Sequence, residues 1–173
     1  MRTMAFIPLL CLAACGSGET QKNATAPATA SGIAAGQWEL TTEVTAFRAA
    51  DAGPPKINTP VGTRATESVC VDGDRPPAAF FVGGGYTCGA DGTYYVRNGR
   101  LNVTSACSRD GFDGSVETMA DGTFTADTAE FSREARTLLS GDGDVEVTTR
   151  VTGRRTGDCA PGGNGGDNSA TAG

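Results

Sequence analysis

Seven Asp-Gly or Asn-Gly pairs within residues 36–159 constrain the fold of this chain more than any other feature of its sequence. They begin at Asp72, Asp91, Asn98, Asp110, Asp113, Asp121 and Asp142. Such pairs favour tight hairpin turns, because glycine, asparagine and aspartate tolerate the positive φ angles that these turns need. Turns spaced this closely leave room only for short strands joined to their neighbours in sequence. The chain is therefore predicted to be antiparallel.

The segments between these turns are rich in β-branched and aromatic residues. In residues 145–152, valine or threonine at every second position alternates with glutamate, threonine or arginine. That alternation is typical of a strand with one buried and one solvated face. We predict an all-β domain, an antiparallel meander that forms a small sandwich or a partly closed barrel. Its other strands are predicted at residues 38–47, 66–71, 93–97, 100–106 and 115–119.

Two segments have some helical character. Residues 74–81 are predicted to form one short helical turn that is capped by Asp74, because two prolines occupy its first turn. Residues 130–139 have a helix-forming composition but a poor apolar pattern, so residues 123–137 are predicted as paired strands.

The first fifteen residues are organised like a bacterial lipoprotein signal. The positive charge of Arg2 precedes an apolar run, residues 4–14, that is shorter than the roughly 20 residues needed to cross a bilayer. Leu12-Ala13-Ala14-Cys15 resembles a lipobox, which implies cleavage before Cys15 and attachment of lipid to it. The alternative is an ordinary cleaved secretory signal. The lipobox predicts the periplasmic side of the cell envelope, and Gly16 in place of aspartate favours the outer membrane.

Composition divides the chain into four parts. Residues 1–14 are predicted as the signal peptide, 15–35 as the lipidated cysteine and a flexible tether, 36–159 as the β-rich domain and 160–173 as a disordered tail. The whole chain has a formal net charge of −6, and loss of Arg2 with the signal makes it −7 (−6 − 1). An acidic chain with no basic run beyond Arg154-Arg155 argues against nucleic acid as a partner.

Four cysteines remain for the folded domain: Cys70, Cys88, Cys107 and Cys159. In an oxidising compartment they predict two disulfides, with three possible connectivities. We favour Cys88–Cys107, which closes a local hairpin region, and Cys70–Cys159, which ties the ends of the domain together. A zinc site is disfavoured, because these cysteines lie 18, 19 and 52 residues apart and zinc sites commonly use a C-x-x-C spacing.

The chain contains no histidine, which excludes Ser-His-Asp and Cys-His catalysis as well as histidine-bound zinc. Residues 83–85 are three glycines without the lysine and helix of a phosphate-binding loop, and we interpret them as a flexible loop. Paired carboxylates could hydrolyse a glycosidic bond, but acids beside glycines are typical of surface turns. We predict no catalytic residue, no cofactor and no metal. The carboxylates of this alternative are Asp110, Asp113, Glu117, Asp142, Asp144 and Glu146.

Trp38 is the single tryptophan of the chain. An exposed tryptophan can serve as a binding platform, so Trp38 is a candidate binding residue. A tryptophan that opens a β domain is more commonly an anchor of the core, and this interpretation is favoured.

Three features together resemble the exported bacterial proteins known as domain of unknown function 3617 (DUF3617). They are Gly36-x-Trp38-Glu39, the four cysteines, and the closing motif Thr149-x-Val151-x-Gly153-x-Arg155-x-Gly157-x-Cys159. The resemblance covers residues 36–159 and implies export and a compact β-rich domain. The family has no assigned activity, so it implies no catalytic or binding residue. The low apolar content of this chain argues against a large internal cavity.

These observations predict a lipid-anchored envelope protein that acts as a non-enzymatic binding module for a protein or a small ligand. Its expected partners are the membrane, through the anchor, and an envelope protein. An acidic surface suits a cationic target. Two other functions stay open, a carboxylate-dependent hydrolase of envelope glycans and a structural or stress-linked component of the envelope.

Overall fold

A computed structural model describes residues 31–161 as an eight-stranded antiparallel sheet curled into a half-barrel around one short helix. The all-β prediction is confirmed. The helix is α1 (Ala78–Val82). The strands are β1 (Gly36–Ala49), β2 (Arg64–Val71), β3 (Tyr86–Cys88), β4 (Tyr94–Arg97), β5 (Arg100–Arg109), β6 (Gly114–Phe124), β7 (Thr128–Leu139) and β8 (Val145–Gly157).

The strand order along the sheet is β2-β1-β8-β7-β6-β5-β3, and β4 also pairs with β5. Strands β4 to β8 therefore form the predicted meander, while the first strand closes against the last. Because its pairs are antiparallel, the connections within this meander alternate between two ends of the half-barrel. The β1–β2, β5–β6 and β7–β8 loops lie at one end, which we call the loop end. Residue 36, where β1 starts, and residue 157, where β8 ends, lie at the other, which we call the terminal end.

Most Asp-Gly and Asn-Gly pairs lie in loops or at strand ends, as predicted. Asn98 and Gly99 form a two-residue hairpin between β4 and β5, with φ angles of 54° and 72°. The turn predicted at Asp121-Gly122 is wrong, because both residues lie inside β6. A Cβ atom at Gly122 would lie 2.5 Å from the Cα atom of Phe131 on β7. Glycine therefore permits a close approach between strands here, and the turn follows at residues 125–127.

The short helix overlaps the predicted segment, but it starts four residues later and ends one residue beyond it, at Val82. Its N-cap residue is Pro77, and no side chain caps it. The predicted cap by Asp74 is wrong, because Asp74 is an exposed residue that precedes the first helical residue by four positions. Residues 130–139 lie in β7, which confirms that this segment is a strand.

Both favoured disulfides are present. Cys88 and Cys107 are directly opposite each other on β3 and β5, so this bridge closes a local pairing. Cys70 near the end of β2 is bonded to Cys159, which follows β8. Because β1 lies between β2 and β8, the second bridge ties the terminal end of the domain together.

The hydrophobic core occupies the concave face of the sheet beneath α1. Trp38 is completely buried there, its Nε1–H donates to the carbonyl oxygen of Ala34 at 2.9 Å, and its ring meets Phe80 edge-on at 5.3 Å. Trp38 is therefore a core anchor, and its candidacy as an exposed binding residue is wrong. Ile33 is 3% exposed and belongs to the same core. The folded domain thus begins before the predicted boundary at residue 36.

Several predictions fall outside the residues that the structure describes. These are the signal peptide, Cys15, the tether as far as residue 30 and the tail from residue 162. Between residues 31 and 161, no helix is both long enough and apolar enough to cross a membrane.

Candidate functional site

The five-residue helix leaves part of the concave sheet face uncovered. The uncovered part, towards the loop end, is an open groove with a volume of about 250 Å³. That volume lies just below the roughly 300–1,000 Å³ of typical ligand sites, so it suits a small molecule. The floor is made of small or β-branched side chains that face inward from β1, β6, β7 and β8. They are Thr42, Val44, Val116, Ala135, Thr137, Val145, Val147 and Thr149.

Two walls flank this floor. The β1–β2 loop contributes Ile57 and Thr59 on one side. On the other side stand Tyr86 of β3 and Arg109 at the end of β5. The Arg109 guanidinium lies 5.3 Å from the Tyr86 ring centroid and 5.6 Å from that of Phe112, which are cation–π distances. The mouth of the groove is therefore partly aromatic and carries a positive charge on one wall.

An ion pair between Arg133 and Glu67 closes the inner end of the groove. Arg133 faces inward from β7, and its side chain is only 9% exposed. Its Nε–H donates to the carbonyl oxygen of Phe81 at 2.8 Å, and Nη1 and Nη2 donate to the two Glu67 carboxylate oxygens at 3.3 and 3.4 Å. Strands β1 and β8 lie between β2 and β7 in the sheet, so the pair spans the interior of the half-barrel.

Gly83 makes room for this ion pair. It follows α1, has a φ angle of 85°, and is buried. A Cβ atom there would lie 2.7 Å from Nη1 of Arg133 and 3.3 Å from a carboxylate oxygen of Glu67. The interpretation of residues 83–85 as a flexible loop is therefore wrong at Gly83, which packs against the guanidinium.

Asp51 fixes the loop that forms one wall of the groove. Its carboxylate accepts hydrogen bonds from the backbone N–H groups of Asp144 at 2.9 Å, Gly143 at 2.8 Å and Gly53 at 2.9 Å. These three bonds hold the pKa of Asp51 below its ordinary value of 3.8, because they favour the ionised carboxylate. The ionised side chain thus ties the β1–β2 loop to the β7–β8 loop.

Replacing Asp51 by asparagine is expected to lower the thermal midpoint near neutral pH, because a neutral amide cannot replace the charged acceptor of three N–H groups. A lowered folded-state pKa stabilises the fold above the unfolded value of about 3.8, and this contribution is lost as pH falls through the folded-state pKa. The gap between wild type and variant should therefore shrink in acid. Thermal melts by circular dichroism from pH 7 downwards measure it. Asp142→Asn is the control, and an equal effect there would contradict the role of Asp51 in tying the two loops together.

The six carboxylates of the hydrolase alternative do not converge on the groove. Glu117 and Glu146 point to the outer face, where Glu146 forms an ion pair with Arg48. Asp144 accepts hydrogen bonds from the Thr137 hydroxyl and from the N–H of Leu139. Asp110, Asp113 and Asp142 lie in exposed loops. Within the described residues, the acid that lines the groove is Glu67, which the sequence reasoning missed along with Arg133.

The outer face of the sheet is a weaker candidate. A shallow depression of about 490 Å³ lies there, around Met119 and Glu134. Four side chains beside it form a row across neighbouring strands, in which positive and negative charges alternate. They are Arg48, Glu146, Arg136 and Glu117. The opposite charges within this row neutralise one another.

The sequence model of one family, described as "Protein of unknown function (DUF3617)", matches residues 33–159. The chain belongs to the DUF3617 family. Searches of curated proteins and of solved structures found no match. The resemblance that the sequence motifs indicated is therefore confirmed, and the DUF3617 match begins at the core residue Ile33.

Gly36, Glu39 and the second half of the closing motif lie towards the terminal end of the half-barrel, whereas Thr149, where that motif begins, lies on the floor of the groove. A Cβ atom at Gly36 would lie 2.5 Å from Nε of Arg155, and that Nε–H donates to the carbonyl oxygen of Ala35 at 2.7 Å. Glu39 forms an ion pair with Arg154 on the outer face. These residues hold the first strand against the last. The motif residues thus account for closure of the DUF3617 fold, whereas Arg133 and Glu67 lie outside the motifs.

Proposed function

We propose that this DUF3617 protein is a non-enzymatic binding module of the bacterial cell envelope, and that its groove takes up a small amphipathic ligand. One observation carries the proposal. The floor residues Ala135, Val147 and Thr149 face the inside of the half-barrel but are only half-buried, because α1 ends before it covers them. A concave, largely apolar surface with a few convergent polar groups is the usual form of a small-ligand site.

The polar groups that line the groove favour ligand binding over catalysis. Thr137 and Thr42 use their hydroxyls within the sheet, donating to Asp144 and to the carbonyl oxygen of Ala65. The inner charges of Arg133 and Glu67 are directed at each other. No histidine is available as a general base anywhere in the chain. These features support recognition of a ligand and provide no evident route for proton transfer.

We further propose a lipid anchor at Cys15 on the periplasmic side of the envelope, and the direction in which the chain enters the domain is compatible with this anchor. Residue 36 enters the sheet at the terminal end, and the groove opens at the loop end. A chain anchored before residue 36 can therefore present the groove away from the membrane, towards envelope partners or solutes. The anchor is tested by the intact mass of protein purified from the membrane fraction. We expect cleavage before Cys15 and added acyl chains, and a mass equal to the unlipidated chain would contradict the anchor.

The groove is tested by filling it. Hexanol, titrated into the folded domain, is expected to shift backbone amide signals in nuclear magnetic resonance spectra at the floor of the groove. Ala135→Leu adds a larger side chain at the half-buried floor and should abolish these shifts. Ser132→Leu adds the same side chain to the exposed outer face of the same strand and should leave them unchanged. Shifts that survive Ala135→Leu, or that map to the outer face, would overturn the proposal.

A further inference from the structure

Arg133 has hydrogen-bonding capacity that the protein leaves unused. A guanidinium carries five N–H donors, and three contacts within residues 31–161 engage it, from Nε to Phe81 and from Nη1 and Nη2 to Glu67. Two N–H donors therefore have no partner in the described part of the chain. The side chain lines the groove and is more than nine-tenths buried. Because unpaired buried donors are costly, the inner end of the groove is suited to a ligand that brings an acceptor oxygen.

The charge at this end of the groove decides which acceptor fits. Arg133 and Glu67 neutralise each other, so a ligand carboxylate would introduce a second negative charge beside Glu67 without a buried counter-charge. Burying such a charge is strongly unfavourable. A ligand ammonium cannot use the free N–H donors and would compete with Arg133 for Glu67. A neutral carbonyl, as in an amide or ester, accepts from Arg133 and leaves the ion pair intact.

The surroundings of the groove mouth reinforce this selection. Two cations line the mouth: Arg64, which forms an ion pair with Glu43, and Arg109, which stands at the exposed end of β5 near the rings of Tyr86 and Phe112. The loops at the same end of the half-barrel carry more acids than bases, with Lys56 as the base of the β1–β2 loop. Their summed field disfavours the approach of anions. The acids are Asp51, Asp110, Asp113, Asp142 and Asp144.

Building on the proposed function, we infer that the groove selects neutral amphipathic ligands that carry an amide or ester carbonyl. Arg133 binds the carbonyl oxygen through its free N–H donors, and the apolar part of the ligand lies on the valine and threonine floor. Glu67 determines the charge selectivity, because its carboxylate neutralises Arg133 and disfavours ligands that carry a carboxylate of their own. The ligand class is thus set by two side chains that reach the groove from opposite sides of the half-barrel.

Three probes that share one alkyl chain test this selection. Hexanamide, hexanoate and hexylamine are titrated near pH 7, and binding is followed by amide shifts at the groove floor. Hexanamide should bind about tenfold more tightly than hexanoate, a difference of about 1.4 kcal/mol, and more tightly than hexylamine. Hexanoate binding as tightly as hexanamide would overturn the inference while leaving the groove as a binding site. Failure of all three probes and of hexanol to shift the groove would overturn the proposed function itself.

A charge swap provides the second arm of the test. Glu67→Gln removes the negative charge and leaves Arg133 as an uncompensated cation, so hexanoate should become the preferred probe over hexanamide. Glu134→Gln, which removes a charge on the opposite face of β7, should leave the wild-type order of affinities unchanged. An unchanged preference in a folded Glu67→Gln variant would overturn the role of Glu67. The order measured in the wild type tests the inference even if that variant does not fold.

Discussion

Replacing Trp38 by alanine is expected to lower the unfolding free energy by about 3–5 kcal/mol, the range found when a buried aromatic side chain is truncated. Trp38 is completely buried, its ring packs edge-on against Phe80, and its Nε1–H holds the carbonyl of Ala34. Its removal leaves a cavity between β1 and α1 and frees the segment that leads into the first strand. Because the total free energy of unfolding of a small domain is only about 5–15 kcal/mol, this variant should be close to unfolding.

Denaturant unfolding followed by far-ultraviolet circular dichroism measures this loss, since the signal does not depend on the tryptophan that is removed. Trp38→Phe should lower the free energy of unfolding less than Trp38→Ala does. It keeps an aromatic ring against Phe80 and loses mainly the hydrogen bond to Ala34. Leu138→Ala is the control, because Leu138 is exposed on the outer face. An effect of Trp38→Ala no larger than that of Leu138→Ala would contradict the placement of Trp38 in the core.

The local fold could be predicted because its signals are local. Turn-forming pairs such as Asn98-Gly99 and the alternation in β8 report the conformation of their own residues. The pair at Asp121-Gly122 gave a wrong turn for a reason that lies outside its own segment. A strand glycine that faces a close neighbour has the same identity as a turn glycine, and only the position of Phe131 distinguishes the two.

These sequence patterns do not predict the curvature of the sheet. The sequence left a sandwich and a partly closed barrel open, because alternation tells which side chains share a face and says nothing of how far the face bends. The half-barrel depends on β1 pairing with β8, two strands separated by most of the chain. The favoured disulfide Cys70–Cys159 was the one long-range indication that the ends of the domain meet.

The groove was missed, although the sequence carries a signal for it. On β7, Arg133 occupies the phase of Phe131 and Ala135, which face inward, while Glu134 and Arg136 face outward. Glu67 on β2 is likewise a charged residue at a position that faces inward. A charged residue in the apolar phase of a strand needs a partner, since an unpaired buried charge is strongly disfavoured. Two such residues of opposite sign predict an internal ion pair, but only the three-dimensional structure shows that open space lies beside it.

Removing the long-range disulfide should destabilise the domain more than removing the local one. In the chain-entropy model, a cross-link stabilises by restricting the unfolded chain, and its effect grows with the length of the loop that it closes. The separation of 89 residues between Cys70 and Cys159 gives about 4.6 kcal/mol, and the separation of 19 between Cys88 and Cys107 gives about 3.2 kcal/mol. The double variants to alanine are compared by denaturant unfolding at equal protein concentration.

The native-state surroundings of the two bridges point in the same direction. Cys88 and Cys107 are already held opposite each other by the pairing of β3 with β5, so that contact persists without the covalent bond. Cys159 follows the last strand, and the bridge to Cys70 holds that end against β2. Loss of the long-range bridge should therefore also increase hydrogen exchange at the amides of β2 and the end of β8. A greater loss of stability from the Cys88–Cys107 variant would show that loop length does not decide the contribution of the two disulfides.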